Sequence, residues 1–377
     1  MMKRKLLFCL ILIVIVFSFA AFGDSDNADT PHGLEGWLES KMGSLHTIWL
    51  FVIIAITLYL LGKGADILVD EAVTLSTRWG IPQTLIGATI VSLGTTTPEA
   101  AVSVFAAVQG DPDIALGNAV GSIICDTGLI LGTAALIAPL PLNRKIVNRQ
   151  GWLQLGAGFL LVIACLPFGS LGTTFAEGGR LPQVMGFVFL ILLAAYMWQS
   201  IRWSRDADSD STMEVEQSHD ESANTALVVV KLLFGILLVV VSSSVLIPAV
   251  KIVAERVKVP ESIIAATLVA FGTSLPEFVT AVTAARRGHG ALAVGNVIGA
   301  DILNVLFVAG AAAAVTGGGL EAPTHFFRLL FPLMLFILIV FRVGIFVSGD
   351  RLKRPFGVIL IAAYLFVTIL SYRITGG

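Results

Sequence analysis

Two short stretches of this chain place oxygen ligands inside otherwise apolar runs: GTTTPE at 94–99 and GTSLPE at 272–277. An acidic side chain midway along an apolar run of membrane-spanning length costs at least ~2.5 kcal/mol, and Glu99 and Glu277 lie too deep to snorkel out. They are therefore expected to serve a site. A proline within a helix removes one N–H and collides with the carbonyl four residues back, so Pro98 frees the carbonyl of Gly94 and Pro276 that of Gly272. With the hydroxyls of Thr95, Thr96, Thr273 and Ser274 these groups make an all-oxygen donor set, which suits Ca2+ or Na+ and not softer transition metals. Thr95 and Glu99 lie four apart, as do Thr273 and Glu277, and are expected on one helix face. Taken singly, the hydroxyls have a plainer use, bonding back to helix carbonyls or joining helices.

The composition says what kind of element holds these residues. Of 377 residues 56% are hydrophobic and 13% charged, well outside the range of soluble domains. Apolar windows of about 20 residues recur from end to end, so the reading is an all-α polytopic membrane protein and not a barrel of short alternating strands. Residues 1–23 read as a secretory signal peptide, with an uncleaved anchor helix as the alternative, and 24–46 as a polar extracellular segment. Ten spans are expected at 47–72, 82–109, 113–138, 151–168, 182–203, 226–254, 260–285, 291–315, 326–347 and 354–373. If they alternate, the loops with Arg144, Lys145 and Arg149, with Arg202 and Arg205, with Arg286 and Arg287, and with Arg351, Lys353 and Arg354 share one side. That side is the cytoplasm, which leaves both termini of the mature chain outside.

The acidic stretch 205–225 reads as a cytoplasmic linker. Counted from Asp206, Ser211 and Gln217 stand where a calcium loop needs Gly and Glu. Cys9, Cys125 and Cys165 lie in apolar runs and read as packing residues, and the five histidines are scattered without ligand spacing. A net charge of -2 points to no nucleic-acid partner, and no obligatory protein partner or cofactor is evident. No nucleophile with a partnering base accompanies the carboxylates, which argues against an enzyme.

Residues 82–135 align without a gap on 260–313, with about 21 of 54 positions identical at a constant offset of 178. Gly94, Thr95, Pro98 and Glu99 fall on Gly272, Thr273, Pro276 and Glu277, and Gly117, Asn118 and Gly121 on Gly295, Asn296 and Gly299. Five spans separate the copies, so the second crosses in the opposite sense: two inverted five-helix halves, 47–204 and 226–377. Inverted repeats mark secondary transporters whose sites form near the midplane where broken helices meet. The alignment pairs Asp126 with Asn304, each one turn after Ser122 or Ala300, and Asp126 is a second intramembrane charge of its copy. Asn118 and Asn296 are read as helix caps, as bonds between helices or as ion contacts. Asp301 sits one position off the Asn304 face, and its role stays open.

GTTTPE and GTSLPE, together with GNAVGSIICD and GNVIGADILN, resemble the sodium/calcium exchanger family of cation/Ca2+ antiporters, in its prokaryotic form. The resemblance covers both copies in register. It implies a Ca2+ and Na+ antiporter of the cell membrane, with ions held by Glu99, Glu277, Thr95, Thr96, Thr273, Ser274, Ser122, Asp126 and Asn304 and by the carbonyls of Ser92 and Ala270. Exchange of Ca2+ for H+, or with a K+ requirement, would use nearly the same ligands, and a cation channel is the remote alternative. The chain departs from the family pattern at Ala300, which has no hydroxyl, and in carrying its third carboxylate at Asp126 with the amide at Asn304.

Overall fold

The computed structural model describes residues 38, 40–110, 112–169, 171–207, 225–257 and 270–375. The expected signal peptide, most of the polar segment after it, the linker from 208 to 224 and the opening of the seventh span lie outside the described residues. Helix α1, Thr47–Trp79, starts where the His46 ring accepts the Ile48 N–H and ends at Gly80, whose φ of 63° lets its N–H turn back to the last carbonyls. One repeat offset later α7, Thr225–Arg256, begins at the residue equivalent to Thr47 and packs along α1.

The second span is broken. Helices α2, Gln83–Thr95, and α3, Thr97–Gln109, meet at a 43° bend. Thr96 lies between them with φ -82° and ψ -2°; its N–H still reaches the Ser92 carbonyl at 2.8 Å. Pro98 stands in the first turn of α3, where an N–H would have no helical partner in any case. The expectation of a proline inside one kinked helix is thereby corrected: the proline opens a second helix. Thr95 and Glu99 consequently sit on different segments and not on one face. Pro276 does the same in α8, Leu275–Arg286, just after a helical turn at Ala270–Gly272.

Helices α4, Ile114–Ile137, and α9, Gly290–Val315, form the centre. Their apolar windows are 72% and 89% buried, against 28% and 33% for the peripheral α1 and α7. Helix α9 can approach α2 so closely because it carries glycines at the contact: a Cβ on Gly295 would lie 2.1 Å from the Thr84 carbonyl oxygen, and one on Gly299 2.5 Å from the Ala88 Cα. Each central helix also widens into a π-helical turn, Asp126–Ile130 in α4 and Asn304–Ala309 in α9, so the two paired residues open equivalent irregularities.

Helix α5, Arg144–Cys165, begins seven residues before the expected span. Asn143 caps it, its Oδ1 accepting the Ile146 N–H at 3.3 Å, and the cationic first turns suit an interface. Helices α6 (Gln183–Ala207), α10 (Phe326–Ser348) and α11 (Arg354–Thr375) complete the bundle. Two short antiparallel ladders tie the halves together: β1 (Leu140–Pro141) with β4 (Arg351–Leu352), and β2 (Gly179–Leu181) with β3 (Leu320–Ala322). Each ladder joins one strand from each half, and α5 separates β1 from β2 in the chain. Exchanging the halves therefore carries one ladder onto the other, as an inverted repeat requires. Among the described residues six helices are long and apolar enough to cross a membrane, seven with the bent pair.

Candidate functional site

The two breaks and the two π turns converge at the centre of the bundle. Glu99, Asp126, Glu277 and Asn304 are all buried, each no more than 1% exposed. Glu99, Glu277 and Asp126 are near enough to interact electrostatically, yet among the described residues no Lys or Arg pairs with any of them. Thr96 crosses between the halves to donate its hydroxyl to Glu277 Oε1 at 3.1 Å. The Asn304 amide donates to Asp126 Oδ2 at 3.4 Å, joining α9 to α4.

What remains unsatisfied is a coherent set. Both carboxylate oxygens of Glu99, Glu277 Oε2, Asp126 Oδ1, Asn304 Oδ1 and the hydroxyl oxygens of Ser122 and Ser274 are buried without a hydrogen-bond partner. Seven such oxygens from both halves are costly to leave bare, and every one is a hard donor. They fit a cation. Among the described residues no three His, Cys, Asp or Glu side chains converge as a compact metal cluster.

The remaining expected ligands are placed less directly. Thr95 is buried and its hydroxyl bonds the Ser92 carbonyl at 3.3 Å, which also takes the Thr96 N–H. The Ser92 carbonyl, implied as a ligand by the resemblance, thus already accepts two bonds. Thr273 is half-buried and donates to Asn118 Oδ1 at 3.2 Å. Ala270 opens the turn before the second break. Asn118 is held within the protein at both ends of its amide, its Nδ2 also donating to Ser103 Oγ at 2.9 Å and to the Glu99 carbonyl at 3.4 Å.

The structure gives Asp301 a place and adds residues that the sequence pattern did not single out. Asp301 Oδ2 accepts from the Thr127 hydroxyl on α4 and from the Gln154 amide on α5, which anchors one edge of its carboxyl, while its Oδ1 is buried without a partner like the seven oxygens above. Gln150, one turn earlier, bonds the Tyr196 hydroxyl, itself bonded to the Ala88 carbonyl of α2. Two glutamines four apart in an apolar span were the available signal. Cys125 and Cys165 are buried free thiols, in keeping with packing roles, and Cys9 lies outside the described residues.

The description "Sodium/calcium exchanger protein" belongs to the family model that matches residues 49–202 and 227–373. The chain belongs to the sodium/calcium exchanger family. Curated relatives include the inner membrane protein YrbG of Escherichia coli (strain K12), 31% identical over 324 residues, covering 85% of this chain and 96% of that protein. The sodium/calcium exchanger MaX1 of Methanosarcina acetivorans is 29% identical over 348 residues, 85% of this chain and 98% of its own. Among solved structures, the sodium-calcium exchanger NCX_Mj superposes with a TM-score of 0.70 at 25% identity, covering 85% of this chain and 98% of that one. With this family placement and its several apolar helices, the chain is a multi-pass membrane protein.

Proposed function

We propose that this chain is a secondary antiporter that exchanges Ca2+ for Na+ by alternating access, with the ions held at the two broken helices. The observation that carries the reading is the set of seven buried, unpartnered oxygens contributed by both halves. Glu99 and Glu277 are its anionic ligands, Asp126 and Asn304 flank them, and the hydroxyls of Ser122, Ser274, Thr95, Thr96 and Thr273 fill the shell, with the Ala270 carbonyl at the second break. The Ser92 carbonyl joins only when the Thr95 hydroxyl turns away. Three carboxylates match three Na+, whereas one Ca2+ leaves one carboxylate to be protonated or uncompensated. The two ions compete for one cage. A half-filled cage of bare charges is expensive to occlude, so the exchange of access between faces favours the loaded forms, which couples one ion to the other.

On this reading the cationic loops, and with them the β1–β4 ladder, face the cytoplasm and both termini lie outside. The test is Ca2+ uptake into vesicles under outward gradients of Na+, H+ or K+ applied in turn. Uptake driven by Na+ alone supports the reading; uptake driven only by H+, or only with K+ present, moves the counter-ion, and passive flux without counter-transport removes the antiporter.

A further inference from the structure

The repeat makes Asn118 and Asn296 equivalent, yet their surroundings differ completely. Asn118 stitches three elements together: its Nδ2 holds Ser103 Oγ and the Glu99 carbonyl of α3, and its Oδ1 takes the hydroxyl of Thr273 at the opposite break. Asn296 is fully buried, and neither its amide nitrogen nor its carbonyl oxygen has a partner among the described residues. The offset of 178 states what those partners would be. Glu99 maps to Glu277, Thr273 to Thr95 and Ser103 to Ala281, so the mirror-image stitch is Asn296 to the Glu277 carbonyl, with Thr95 donating to Asn296. In this structure the Thr95 hydroxyl is spent instead on a long 3.3 Å bond to its own helix.

Burying an amide with both ends unsatisfied is unfavourable, and an arrangement that persists at one of two equivalent places needs a state in which the cost is recovered. Asn118 lies one turn into α4 and Asn296 near the start of α9, so the two sit toward opposite ends of the bundle. We infer that Asn118 and Asn296 are reciprocal positioning residues of the transport cycle, one stitching the halves shut at its end while the other is released. The inference rests on the alternating-access reading above and adds to it the residues that hold each end closed. The Asn118 stitch has a hydroxyl partner in Ser103 where the Asn296 stitch has only Ala281, so the state seen here is the favoured one.

The experiment compares apparent Ca2+ affinity from each face, in right-side-out and inside-out vesicles, for wild type, Asn118→Ala, Asn296→Ala and the double variant. Losing a stitch lowers the population of the state it closes, and apparent affinity at each face follows the population competent there. Asn118→Ala shifts the ratio of the two affinities about five- to tenfold toward the face at the α4 start, and Asn296→Ala shifts it the other way. The double variant returns near the wild-type ratio. Thr273→Val, which removes one bond of the stitch and leaves Asn118 in place, follows Asn118→Ala with a smaller shift should that variant fold poorly.

Hydrogen exchange of the 99–109 segment in lipid nanodiscs reads the same stitch without relying on transport. Asn118→Ala speeds it, and Asn296→Ala, a change in the other half, slows it. Equal shifts in both variants, or lower flux at an unchanged ratio with no slowing of exchange in Asn296→Ala, overturn the inference while leaving the antiporter intact. If wild type shows no coupled flux, the proposed function falls, and the nanodisc measurement still decides the stitch.

Discussion

The hexapeptides GTTTPE and GTSLPE end in glutamates that occupy equivalent places, but the protein treats those glutamates differently. Glu277 has one oxygen anchored across the interface by Thr96, whereas both oxygens of Glu99 are unpartnered. The equivalent of Thr96 is Ser274, and its shorter side chain finds no partner. Asn118 and Asn296 divide in the same way. Two copies of one motif packed about a pseudo-two-fold axis need not be in the same state, and the alternating-access reading proposed above requires that they are not.

The comparison breaks most visibly if either carboxylate proves dispensable. Glu99→Gln and Glu277→Gln keep volume and hydrogen-bonding capacity but remove charge from the divalent site. Each is expected to lower Na+-driven Ca2+ flux roughly 30-fold or more, since losing one partner of a buried charge pair costs about 2–5 kcal/mol. Membrane insertion should be normal by fractionation. Near-normal flux in either variant would exclude that carboxylate from the ion site.

Asp126 and Asn304 test whether charge count or placement matters. Asp126→Asn leaves two anions against three candidate Na+ and should weaken coupling toward the lower end of that range, about 30-fold. Adding Asn304→Asp restores the charge on the other side of the axis, where it already lies 3.4 Å from its partner, and should recover part of the loss. Strictly additive losses in the four-member cycle would mean that geometry, not charge balance, governs the cage.

A smaller effect is expected at Thr96. Thr96→Val releases Glu277 Oε1 from a hydrogen bond to a charged group, for which the low end of the usual range, about 1.5 kcal/mol, corresponds to roughly tenfold in apparent Ca2+ affinity. An affinity within twofold of wild type would show that the anchored glutamate gains nothing over the unanchored one.

The smallest effect separates the two breaks by packing. A Cβ on Gly94 would meet Ile236 Cδ1 at 2.7 Å, whereas one on Gly272 would meet Ile247 Cδ1 at 3.1 Å. Gly94→Ala should cost about 1–2 kcal/mol of thermal stability and be rescued by Ile236→Val, with Gly272→Ala nearly silent. Equal losses in detergent melts would place the breaks in equivalent packing after all.

Much of this is legible along the chain. The constant offset, the prolines, the glutamates and the Asp126–Asn304 pair are properties of the sequence compared with itself, and the helices Thr47–Trp79, Thr97–Gln109 and Ile114–Ile137 have counterparts one offset later among the described residues. Even the difference at the prolines is one of degree: a removed N–H is felt locally, but whether a helix kinks or restarts depends on what packs at the break. Gln150 and Gln154 are visible as polar residues four apart without any hint of what they face.

The sequence by itself determined that two related copies each bring a proline-marked break and a carboxylate in an apolar run, because apolar patterning and repeat identity are local and survive without tertiary contacts. Only the tertiary structure decided which copy of each pair is satisfied: Thr96 on Glu277, Thr273 on Asn118, Thr127 and Gln154 on Asp301, and nothing on Asn296. Those bonds join residues that are distant in the chain. Their existence depends on how α4 and α9 are seated between the halves, and two related copies packed against different neighbours cannot report that seating themselves.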